Sequence, residues 1–179
     1  MQAIRADARY NGAIHATAEL LEKLRIDAMF VGVVARAAWL GGDVAGGAID
    51  VLALMNAPQK NQLAMMASNR GFRVDRDELE QTEELDLVPL HFIHEEGEVR
   101  VHVLLATNAL YGRMVASAQP AEIDQRAVKV PRPEDLALLL LFAEDEVTVR
   151  RLATLPEFDR AAFQERLVSI GLGAWAGLG

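Results

Sequence analysis

The stretch AMFVGVVARAAWLGGDVAGGAIDVLALM, Ala28 to Met55, decides how the chain folds. Ala28 to Val33 is an apolar run ending around Gly32, long enough for a strand and too short for a free-standing helix. Val34 to Leu40 is alanine-rich and suits a short helix, which Gly41 and Gly42 stop. After Asp43 and the flexible Ala45-Gly46-Gly47, the run Ala48 to Met55 resumes as an interior strand. Asp50 is the single charge in that strand. A carboxylate buried there without a partner is costly, so the sequence places it at a cleft, a partner or water.

Downstream, a hairpin is expected. Val88-Pro89-Leu90-His91-Phe92-Ile93-His94 pairs with Glu98 to Leu105 across Glu95-Glu96-Gly97. In the second strand Val99, Val101, Val103 and Leu105 take one face, while Arg100, His102 and Leu104 take the other. With the strands paired as drawn, His94 and His102 share a face and His91 points away. A slip of one residue would reverse that assignment.

The rest of the chain reads mainly as helices and connectors. Asn11 to Arg25 repeats Ile14, Ala18, Leu21 and Leu24 at helical spacing. His15, early in that helix, reads as a solvated or helix-packing residue. Pro58 opens the next helix, which Gly71 ends, and its Met65-Met66 pair reads as core filling. Phe72 to Val74 suits a short strand. Asp75 to Asp86 is strongly acidic but lacks the alternation of a calcium loop, so a solvated loop or helix face is expected. Thr107 to Ser117 is a helix capped by Thr107, Pro120 starts a connector, and Ala127 to Val130 is a short extended piece. Pro131-Arg132-Pro133 is a turn, after which Leu136 to Glu144, Val147 to Leu155 and Asp159 to Ile170 are helical. These patterns give an α+β core over 1–130 and a helical C-terminal extension over 131–179, packed on the same domain. The tail Gly171 to Gly179, with Trp175, is glycine-rich and either docks or hangs free for a partner.

Composition narrows the function classes. Hydrophobic residues make up 51% and charged residues 25% of the 179, ordinary values for a globular protein. The longest apolar run, Leu136 to Ala143, is too short to span a bilayer, and MQAIRADARY carries no signal-peptide pattern. The expectation is therefore a cytoplasmic protein without a membrane role. There is no cysteine, which excludes disulfides, a thiolate nucleophile and a cysteine zinc site. The net charge of −8 argues against nucleic acid as a partner, since phosphate binding needs a basic face.

The arrangement from Ala28 to Met55 resembles the nucleotidyltransferase superfamily in its small bacterial branch, with Leu40 to Asp50 as the stretch laid on its motif. There a strand ends in Gly-Gly or Gly-Ser, a short helix follows, and Arg-x-Thr-x-Asp-x-Asp leads onto the next strand. Length and apolar pattern agree, but Val33 stands at the second Gly or Ser, Val44 at the Arg, Gly46 at the Thr and Ala48 at the first Asp. Only Asp50 keeps its residue type. The family's Arg-Val-Asp-Leu-Leu strand corresponds to Arg100-Val101-His102-Val103-Leu104, with histidine at the third carboxylate. Its Pro-Glu-Asp-Leu helix start corresponds to Pro133 to Leu136, without the lysine that usually follows. The resemblance implies a mixed β-sheet flanked by helices.

The resemblance also sets out the chemistry to test. Nucleotidyl transfer needs a divalent metal held by hard oxygen ligands. Asp-x-Asp on a strand would deliver two carboxylates to one face, and a third from a neighbouring strand would close the cage. Ala48, Asp50 and His102 do not make a conventional magnesium site. A softer ion could use Asp50 and His102, with His94 as a further ligand. The plainer reading is an Asp50–His102 pair that satisfies two polar groups. Gly32 and Val33 occupy the phosphate-binding turn, where the Val33 side chain would crowd the approach. The expectation is a fold that has lost catalysis and binds a nucleotide or a protein, in a defence or toxin–antitoxin setting that the resemblance suggests. Two other readings stay open: an enzyme with a rearranged metal site, and a structural or self-associating module with no small ligand.

Overall fold

The computed structural model describes residues 4–173, so Trp175 and the end of the tail lie outside the described residues. In chain order the elements begin β1 (Arg5–Ala6), α1 (Ala8–Lys23), β2 (Asp27–Phe30), α2 (Gly32–Leu40), β3 (Asp43–Val44), β4 (Ile49–Leu54) and α3 (Ala57–Ala67). They continue with β5 (Phe72–Arg73), α4 (Arg76–Gln81), β6 (Leu87–His94), β7 (Gly97–Leu105), α5 (Ala109–Ala116), β8 (Gln119–Ile123) and β9 (Arg126–Val130). Three helices follow: α6 (Pro133–Phe142), α7 (Glu146–Leu152) and α8 (Arg160–Ser169). The chain divides into two compact units between Val130 and Pro131.

The first unit is built on a five-stranded mixed sheet of order β2-β4-β7-β6-β5. Only β4 and β7 run parallel. Period-two alternation sends Ile49, Val51, Val99, Val101, Val103, Val88 and Leu90 into the core, where all are buried. Burying each such side chain contributes about 2 kcal/mol. Helix α1 covers that face with a stripe of Tyr10, Ala13, Ile14, Thr17, Leu20 and Leu21. Gly12 permits the close approach, since a Cβ there would lie 3.0 Å from the Phe92 ring. Asp7 starts the helix by accepting from the Tyr10 N–H at 3.0 Å, and His15 reaches the Ile123 carbonyl at 3.2 Å.

Several local expectations are corrected. Strand β2 stops at Phe30, and Gly32 and Val33 already belong to α2. The glycine-rich turn contains β3, which pairs in parallel with β1, and Tyr10 Oη donates to the Gly47 carbonyl at 2.9 Å to hold the turn. Pro120 is not in a connector but in β8, a hairpin partner of β9. The hairpin turns through Asp124 and Gln125, both with positive φ, in a two-residue turn without glycine. Helix α5 is capped by Asn108 rather than Thr107. Met65 is 75% exposed and fills no core, whereas Leu63 on the same helix is fully buried.

The second unit is helical, and its first turn contains two buried acids. Glu134 and Asp135 at the start of α6 are 3% and 2% exposed. Asp135 accepts from Arg166 Nε at 2.7 Å, and Glu134 Oε1 accepts the Asp159 backbone N–H at 2.6 Å. Both therefore tie α6 to the start and body of α8. Their position at the N-terminus of α6 also suits its dipole. Phe158, just ahead of α8, and Phe163 within it pack edge to face with ring centroids 5.3 Å apart.

Candidate functional site

Strands β4 and β7 place Asp50 directly opposite His102 in the parallel register. Their side chains lie on the face opposite Ile49, Val51, Val101 and Val103, and Asp50 Oδ1 lies 3.1 Å from His102 Nδ1. Each side chain is about one-third exposed, at 34% and 32%. The other carboxylate oxygen of Asp50 lies against Gly32, the first residue of α2. A Cβ on Gly32 would stand 2.7 Å from Asp50 Oδ2, and Gly32 has a φ of +53°. The positive φ favours glycine there, and a Cβ would force the Asp50 carboxylate to shift. The backbone reinforces the junction, since the Val31 N–H donates to the Asp50 carbonyl at 2.9 Å.

Helix α2 begins without a side-chain cap, because its N-cap residue is Val31. Its N-terminal N–H groups carry partial positive charge, and the Asp50 carboxylate stands at that end. Val33 is half-buried in the first turn of the same helix. Gly32, Val33, Asp50 and His102 are thus grouped at one end of β4.

His94 is not with them. The hairpin register sets Pro89 opposite His102 and His91 opposite Arg100, so the face shared with His102 carries His91. His94 lies opposite Gly97 on the other face, stacked on Phe92 beside α1. The one-residue difference arises because the strands extend to His94 and Gly97, with only Glu95 and Glu96 between them. Among the described residues no group of three metal-ligating side chains is assembled.

Sequence reasoning passed over a second polar cluster on the same face. His91 is 6% exposed, its Nδ1 2.6 Å from Glu98 Oε1 and its Nε2 2.5 Å from Glu78 Oε2. Arg73 donates to Glu98 Oε2 at 2.7 Å. The hydrogen bond from His91 holds the Glu98 carboxyl below its usual range. Desolvation opposes this, and the charges of His91 and Arg73 add to it. The signal for Glu98 lay in the hairpin itself, where Glu98, Arg100 and His102 alternate on one side. The reach of Glu78 from α4 had none.

The fold has counterparts among solved structures. The chain is similar to an antigenic nucleotidyltransferase-like protein from Paracoccidioides brasiliensis, at 14% identity and a TM-score of 0.52, over 94% of this chain and 89% of that one. It is also similar to the antibiotic-resistance factor ANT(2'')-Ia, at 16% identity and a TM-score of 0.56, over 92% and 96%. The fold is that of the nucleotidyltransferases. At these identities the likeness is one of architecture, an α+β fold with a mixed sheet. No protein-family model and no curated protein sequence matches the chain.

Within that nucleotidyltransferase fold the donor set can be tested against the magnesium that the resemblance implies. Ala48 has no donor atom, Asp50 supplies one carboxylate, and His102 supplies an imidazole already hydrogen-bonded to it. Magnesium demands octahedral oxygen ligation and takes imidazole poorly. The residues do not fit a magnesium cage. No membrane-length apolar helix occurs among the described residues.

Proposed function

We propose that this nucleotidyltransferase-fold protein has lost metal-dependent transfer and acts as a binding module, with a nucleotide or a protein as its ligand. The observation that carries the reading is the Asp50–His102 pair. The one carboxylate left of the cage is hydrogen-bonded to the side chain that replaces another, 3.1 Å away. A second support is the Gly32 contact. The Asp50 carboxylate itself stands at the uncapped start of α2, where a phosphate would otherwise receive backbone N–H groups. A metal-bound triphosphate would have to displace that contact as well.

Calorimetric titration with ATP, GTP, CTP and UTP tests the reading. Each titration is run with magnesium, manganese or zinc and repeated with Asp50→Ala. Turnover to pyrophosphate is followed in parallel. The expected result is no magnesium-dependent turnover, together with any nucleotide binding persisting in Asp50→Ala. Metal-dependent binding that disappears in the variant, with pyrophosphate released by the unaltered chain, would overturn it. Absence of nucleotide binding under every condition would leave the protein-binding form of the proposal.

A further inference from the structure

His91 is bonded through both ring nitrogens to carboxylates, Nδ1 to Glu98 and Nε2 to Glu78. A neutral imidazole has one N–H and one lone pair, so it can donate to only one of the two. Both bonds as drawn require the imidazolium, or a proton on one carboxylate. The carboxylates approach opposite nitrogens of the ring, so no single cation could take all three as ligands. A metal centre is therefore not the reading of this cluster.

The two carboxylates are not held alike. Glu98 belongs to β7, within the ladder that pairs it with Ile93, and its second oxygen is fixed by Arg73 of β5. Glu78 lies on α4, a helix of six residues, and among the described residues its side chain bonds to His91. Two cations flank His91 in the sheet, its cross-strand neighbours Arg100 on β7 and Arg73 on β5, and both are exposed to solvent. When the imidazole loses a proton, the one it keeps belongs on Nδ1, facing the better-anchored Glu98. The Nε2 lone pair then faces the Glu78 carboxylate, and attraction becomes repulsion.

Helix α4 also forms a wall. Its Leu79 and Glu80 line a cavity of about 410 Å³ together with Lys60 and Asn61 of α3, Asp86 and Leu105. We propose that His91 is a proton-operated latch, which holds α4 against the sheet when charged and releases that wall of the cavity when neutral. The device does not involve Asp50 or His102, so it stands apart from the function proposed above.

Two measurements on the full chain test the latch. The first is amide hydrogen exchange, corrected for intrinsic rates, followed from about pH 5 to about pH 10. The Leu79 and Thr82 amides bond to the Asp75 and Glu78 carbonyls, so they report directly on α4. Their protection is expected to fall about tenfold as pH rises, the loss of one hydrogen bond between charged groups. Strand β4 is expected to keep its protection. In Glu78→Gln the step disappears, because an amide can turn its oxygen to an N–H or its NH2 to a lone pair. The second is nitrogen NMR of the His91 ring in the unaltered chain, which needs no variant to fold. Loss of the proton from Nε2 in step with α4 release is expected. Protection of α4 that does not change with pH, the same step in Glu78→Gln, or loss of the proton from Nδ1 would each overturn the latch.

Discussion

Asp50 Oδ2 lies 2.7 Å from where a Cβ on Gly32 would stand, so a side chain at residue 32 would push the carboxylate from its present place at the start of α2. Gly32→Ala meets two costs, the positive φ and the clash. It is expected to destabilise the first unit by about 2 kcal/mol or more. Combining it with Asp50→Ala should recover the steric part and leave the conformational part. Urea denaturation of both singles and the double variant measures this. A fully additive double would show that the two residues do not touch.

If the cage is missing because its oxygen donors were replaced, restoring them should restore metal affinity. Ala48→Asp with His102→Asp puts carboxylates at 48, 50 and 102. Strand period and the Asp50–His102 pairing direct these toward one face. Calorimetry should find manganese or magnesium bound at least about tenfold more tightly than by the unaltered chain. Unchanged affinity would mean that the backbone no longer brings these positions to one point.

Much of the core was legible in the sequence because it follows from alternation. Ile49 to Leu54 and Val99 to Leu105 are strands with a buried aliphatic face, and Asp50 and His102 emerge as neighbours on the other. The face of His94 differs from the sequence expectation because Glu95 and Glu96 form a two-residue turn, one residue shorter than expected, which shifts the register by one. The β8 strand was hidden for a related reason. Its turn uses Asp124 and Gln125 in left-handed conformations, where glycine is the usual signal. Nor could local pattern reveal that Glu78 leaves an otherwise solvated acidic run to reach a histidine thirteen residues away. That contact depends on how α4 docks on the sheet, a tertiary fact.

Glu98 gives the first unit an acid-sensitive element. Its carboxyl titrates lower in the folded chain than when unfolded, because His91 and Arg73 favour the charged form. Such a group stabilises the fold above the ordinary carboxylate range, and that stability is lost as pH falls through the lowered value. Glu98→Gln should therefore lower the urea midpoint at neutral pH and flatten its decline on acidification. With the side chain 36% exposed, solvent screening holds the effect to about 1 kcal/mol or less. Equal acid slopes in the variant and the unaltered chain would show that the stabilisation lies elsewhere.

The second unit depends on a different kind of charge. Asp135 is 3% exposed at its side chain, and Arg166, which it meets at 2.7 Å, is 25% exposed. Removing one partner of such a pair leaves an uncompensated charge in a poorly solvated place. Asp135→Ala is expected to cost about 3 kcal/mol. Replacing both residues with apolar side chains of similar size, as Asp135→Leu with Arg166→Met, should cost less than the single change, because the unpaired Arg166 charge is then gone. Hydrogen exchange across residues 133–142 and 160–169 separates the cases: the single variant should expose both helices and the double variant should protect them. If the single variant left α8 fully protected, the pair would contribute no net stability, and the bond of Glu134 to the Asp159 N–H would tie α6 to the start of α8.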